Sequence, residues 1–116
     1  MEDYDKLSAE SKYLLAQFMK EFYSKIDEGQ SRLQAKTIAI TLDDVKELMP
    51  QAKRDDLKDY IYELFDANFL THGNGSNEPI EMTLTNKAIV WPKNKVGDNV
   101  KKWVELADKL LVLIKP

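Results

Sequence analysis

Leu14, Leu15, Phe18, Met19, Phe22, Tyr23 and Ile26 recur at helical spacing, which gathers them into one apolar stripe on a helix turning about 100° per residue. Ser8 precedes the stripe as an N-cap, and Glu10 falls in the first turn, where a carboxylate favours the positive end of the helix dipole. The polar run Asp27-Glu28-Gly29-Gln30 supplies the stop. After a polar connection the period changes to two. In Thr37-Ile38-Ala39-Ile40-Thr41 the alternation predicts a short, half-buried edge strand with Ile38 and Ile40 on one face. Thr41 then caps a helix from Leu42 to about Met49, with Asp43 and Asp44 in its first turn and Pro50 fixing its end. Val45, Leu48 and Met49 give it a small apolar face.

Leu57, Tyr60, Ile61, Leu64 and Phe65 form the core-facing stripe of a third helix, from about Arg54 to Ala67. Asn68 to His72 reads as a strand, Gly73 to Pro79 as a flexible turn, and Ile80 to Leu84 as the returning strand of a hairpin. Thr85 caps a short helical turn through Asn86-Lys87-Ala88-Ile89. A lysine-bearing link follows Trp91-Pro92, and a closing helix runs from about Asn99 to Ile114.

This order resembles that of the bacterial winged helix-turn-helix superfamily, of which the MarR-like and PadR-like regulators are members. The most specific stretch is Tyr60-Ile61-Tyr62-Glu63-Leu64-Phe65-Asp66-Ala67-Asn68-Phe69-Leu70, followed after the loop by Met82-Thr83-Leu84-Thr85-Asn86-Lys87-Ala88. In that superfamily an apolar pair after the recognition helix opens the first wing strand, and the second wing strand runs into a Leu-Thr or Ile-Thr helix start. The family often has glycine near Asn68 and Ala88, so the resemblance stops short of any subfamily. It implies a mostly helical α+β winged helix-turn-helix with a C-terminal helix. Residues 1–7 then form a flexible N-terminus, 8–97 the winged-helix core, and 98–116 a closing helix that packs on the core or dimerises. The function it implies is DNA binding and transcription regulation.

The composition fits one domain: 116 residues, 43% hydrophobic and 32% charged. The absence of cysteine removes disulfides, thiolate metal sites and thiol nucleophiles. Met1-Glu2-Asp3-Tyr4-Asp5 is acidic where a secretory signal is basic, and the longest apolar run, Leu110 to Ile114, is too short to span a bilayer, so a cytoplasmic location is expected. The formal charge of -3 runs opposite to the basic balance of many nucleic-acid binders, and places any such binding in local patches.

Charge along the third helix changes the expectation drawn from the family. The positions opposite its apolar stripe are Asp55, Asp59, Tyr62 and Asp66, an acidic face where a recognition helix meets the major groove. Lys53, Arg54 and Lys58 oppose Asp55, Asp56, Asp59, Glu63 and Asp66 along that helix. Like charges brought together at an interface cost on the order of several kcal/mol. Basic residues collect elsewhere, in Lys87, Lys93, Lys95, Lys101 and Lys102, and in Arg32 and Lys36 before the short strand. Double-stranded DNA as partner therefore calls on the wing and the lysine-bearing surface, with Asn74, Ser76 and Asn77 at the minor groove and Arg32, Lys36, Lys53, Arg54, Lys87, Lys93 and Lys95 on phosphates. The rival reading is a protein-interaction module that docks a basic protein on Asp55, Asp59, Tyr62 and Asp66, without DNA. Both charge patterns also read as ordinary solvated surface.

The closing helix is apolar over about half its circumference, a wider band than one neighbour requires. Trp103, Leu106, Leu110 and Leu113 are candidates for a homodimer interface, as the family resemblance implies; the other use of Trp103 is to complete the monomer core. No nucleophile with a base, metal motif or phosphate cradle stands out, and neither an enzyme nor a cofactor is expected. His72 stands alone, and Asp43, Asp44 and Glu47, like Asp55, Asp59 and Glu63, read as helix-surface acids.

Overall fold

The computed structural model describes residues 2–114, and the side chains of all of these but 2, 93 and 94. In chain order it contains α1 (Glu2–Asp5), α2 (Ala9–Asp27), α3 (Arg32–Ala35), β1 (Thr37–Ala39), α4 (Leu42–Leu48), α5 (Arg54–Asp66), β2 (Leu70–Gly75), β3 (Glu78–Leu84), α6 (Asn86–Val90), a 3-10 turn (Trp91–Asn94) and α7 (Val100–Ile114). The architecture is α+β, with helices predominating over one antiparallel sheet in the order β1-β3-β2.

The long helix α2 is the centre of the core. Its stripe, from Leu14 to Phe22, is buried against Leu57, Ile61 and Leu64 of α5 and against Trp103, Ala107 and Leu110 of α7. Ser8 begins the helix by accepting from the Ser11 N–H at 3.1 Å. Its other end closes in a Schellman arrangement: Gly29, at φ +98°, donates to the Ile26 carbonyl, and Gln30 donates to that of Lys25.

The segment ahead of α2 carries a helical turn, α1, and sets Tyr4 against Trp91, 5.0 Å between ring centroids, with Leu7 buried in the core. Two expectations need correction. The polar connection before β1 holds a helical turn, α3, where Ser31 and Gln34 form a reciprocal capping box at 3.2 Å in each direction. Ile38 and Ile40 do not share a buried face: the pairing of β1 with β3 shifts register between Thr37 and Ala39, so Ala39 is buried and Ile40 is 54% exposed.

The hairpin is also tighter than a flexible seven-residue turn. Its strands stay paired out to Gly75 and Glu78, leaving only Ser76 and Asn77 to reverse the chain, both at positive φ (43° and 67°). Two consecutive left-handed residues are the requirement of a type I′ turn, whose twist matches that of the strands. A bulge at Glu81, φ 51°, then re-aims β3 so that its neighbour Met82 enters the core and Glu81 donates its N–H to the Ile40 carbonyl at 2.8 Å.

Candidate functional site

Leu57, Ile61 and Leu64 bury one side of α5, which turns Asp55, Asp59, Tyr62 and Asp66 to the surface together. Phe65 was expected in the core and is instead 42% exposed, beside Tyr62 at 38%. It lies about 80° around the helix from Leu57, at the border between the buried stripe and the acidic arc. The hairpin completes this surface. His72 of β2 places its ring 4.8 Å from Phe65, edge to face, and 5.5 Å from Tyr62, while its Nδ1 lies 2.7 Å from the Gly73 carbonyl oxygen.

The product is a ring cluster, Tyr62, Phe65 and His72, bordered by Asp55, Asp59 and Asp66. Lys58 approaches the edge of this arc, with Nζ 3.7 Å from Asp55, and offsets part of its charge. Behind it, burial and then the carboxylates of Glu10, Asp56, Asp59 and Glu63 hold the Tyr60 phenol above its ordinary range. Glu63 does not belong to the exposed arc. It points about 120° to the other side of Leu57 and accepts three hydrogen bonds from Ser8 and Ser11.

The basic candidates are dispersed, and several are held by partners inside the domain. Arg54 bridges Asp43 on α4 at 2.7 Å and Glu78 on the hairpin at 2.6 and 2.8 Å, so its guanidinium is neutralised by two carboxylates. Lys87 pairs with Asp3, donates to the Ala67 carbonyl at 2.8 Å and lies 4.7 Å from the centre of the Phe69 ring. Arg32 and Lys36 both donate to the side-chain Oδ1 of Asn86, at 3.3 and 2.8 Å. Lys53 and Lys95 are exposed, as are Asn74, Ser76 and Asn77 on the hairpin; the side chain of Lys93 lies outside the described residues.

The candidate dimer face divides in the same way. Trp103 and Leu110 are buried in the monomer core, Trp103 donating Nε1–H to the Gly97 carbonyl at 3.2 Å, and Leu106 is half-buried. Of the four residues only Leu113, 71% exposed, faces outward, next to Val112 at 75%. α7 spends its most apolar side on α2, so the residues exposed on the helix differ from the bulkiest ones.

No family model, curated protein or solved structure matches this chain. Its site is therefore defined by geometry and charge. Among the described residues no group of three His, Cys, Asp or Glu side chains is placed to hold a metal ion, and no helix is long and apolar enough to cross a membrane. The sequence pattern places Phe65 in the core and leaves His72 as an isolated surface or strand residue, without joining either to Tyr62. The signal for Phe65 was its angular offset from Leu57; His72 joins the cluster because the chain turns back from α5 into β2, bringing its ring to Phe65 and Tyr62.

Proposed function

We propose that this chain is a winged-helix domain that docks a basic segment of a protein partner on the exposed face of α5. The order α2, β1, α4, α5 and the β2–β3 hairpin, with β1 pairing on β3, supports the winged-helix reading. One observation carries the choice of partner: the helix that such domains present to DNA here exposes Asp55, Asp59 and Asp66 around Tyr62, Phe65 and His72. A lysine- or arginine-bearing segment gains charge complementarity from the carboxylates, and the ring faces offer cation–π contact. Phosphates brought to the same face meet like charge.

The experiment is a pair of charge reversals on the full chain. Asp59→Lys with Asp66→Lys should abolish binding of a basic peptide, whereas Lys93→Glu with Lys95→Glu should leave it unchanged. The opposite pattern, read with a DNA duplex, would support the reading in which the exposed hairpin tip, Asn74, Ser76 and Asn77, enters a minor groove beside the lysine-bearing surface. If both pairs are silent for both ligands, neither surface is the binding face.

A further inference from the structure

Away from α5, a cleft of about 350 Å³ opens between α2, α3, α6 and the segment before α7. Phe22, Ile26, Ile89 and Val90 give it an apolar wall, and Asp27 and Asp98 stand at its exposed rim. Its volume lies at the lower end of small-molecule sites, which combine apolar walls with a few polar groups that fix orientation.

The charges around it are unbalanced. Among the described residues neither Asp27 nor Asp98 makes an ion pair or a side-chain hydrogen bond, whereas Arg32, the one cation in the lining, directs its guanidinium to Asn86. Tyr23 completes the lining with its phenol in reach of both signs: burial and then Asp98 raise its pKa, and Arg32 lowers it. We propose that this cleft binds a small organic cation, an amine on a compact apolar body, with the hydrocarbon against Phe22, Ile26 and Ile89 and the ammonium between Asp27 and Asp98. An apolar neutral molecule leaves both carboxylates unused, and an apolar anion brings like charge to two of the three charged groups.

The test is a titration of the full chain, followed by amide and methyl NMR shifts, with hexylammonium, hexanol and hexanoate as probes. Hexylammonium should produce saturable shifts centred on Phe22, Ile26, Ile89 and Val90, and bind more tightly than either of the other two. Asp27→Asn and Asp98→Asn should each weaken it roughly threefold, the scale of one solvent-exposed ion pair, with the double variant weaker still. Arg32→Gln should bind hexylammonium at least as well as the natural chain. Both aspartates are exposed, so a thermal melt of each variant verifies that the fold persists. Equal binding of hexanol, preference for hexanoate, indifference to the aspartate substitutions, or shifts confined to the acidic face of α5 would each overturn the proposal.

Discussion

Glu63, in the last turn of α5, holds the start of α2 through Ser8: one carboxylate oxygen accepts the Ser8 backbone N–H at 2.7 Å and the other accepts its hydroxyl at 2.9 Å. The same oxygen that takes the Ser8 hydroxyl takes that of the buried Ser11 at 2.5 Å. The negative group thus sits at the positive end of the central helix, and fixes the angle at which α5 crosses it.

Glu63→Gln should therefore lower stability by about 1–2 kcal/mol, the scale of charge-assisted hydrogen bonds discounted for partial exposure. Burial pushes the Glu63 carboxyl up, but the hydrogen bonds from Ser11 and Ser8 outweigh it and hold the pKa below its ordinary value. A depressed acid stabilises the fold above its unfolded pKa, near ~4.3, and loses that contribution as pH falls through the folded value. Denaturant melts of the natural chain and the variant should differ at pH 7 and converge toward pH 3.

Asn68 sits at φ 68° just beyond α5, where its N–H donates to the Phe65 carbonyl at 2.9 Å and that of Phe69 to the Leu64 carbonyl at 3.0 Å. This is a Schellman closure with asparagine where glycine is the commonest occupant. Asn68→Gly should match or slightly raise the melting temperature. Asn68→Val should destabilise by roughly 1–2 kcal/mol, because a β-branched residue tolerates the left-handed region poorly.

How much the sequence reveals depends on the range over which each feature is determined. The start of α2 at Ser8, the stripe of α2 and the span of α5 follow from residues within a few turns of one another. The outward position of Ile40 follows from a register shift set by β3, more than forty residues later, as the register places Ala39 opposite Met82. The partners of Arg54 and Lys87 lie on other elements, so the sequence presented as available cations two side chains that the fold neutralises. The acidic arc was legible because it is a property of one helix; the ring cluster was not, because His72 reaches it from the sheet.

Arg54 ties three elements together at the surface, and its Glu78 partner is held below the usual carboxylate range chiefly by that hydrogen bond. Arg54→Gln should loosen the hairpin end more than the core. Amide exchange at Gly75 and Glu78 should accelerate, while exchange at Leu14 and Leu15 stays slow, and added salt should narrow the difference between variant and natural chain.

α7 separates core packing from self-association. Trp103→Ala should cost roughly 3–5 kcal/mol, as a large side chain is removed from a buried position. Leu113→Lys should change stability by less than about 0.5 kcal/mol. If the chain pairs through α7, sedimentation should show Leu113→Lys shifted toward monomer with its melting temperature unchanged. A dimer that survives this substitution is not built on the exposed end of α7.

On the proposed function, α5 presents a face for a basic protein segment and not for DNA. Fluorescence anisotropy of a labelled lysine- and arginine-rich peptide, and of a labelled random duplex, each titrated with the full chain at low and moderate salt, tests it most directly. Peptide binding should be saturable, weaken with salt and be lost on Asp59→Lys with Asp66→Lys, and the duplex should bind at neither salt. Duplex binding that falls steeply with salt, with the peptide inert, would contradict it.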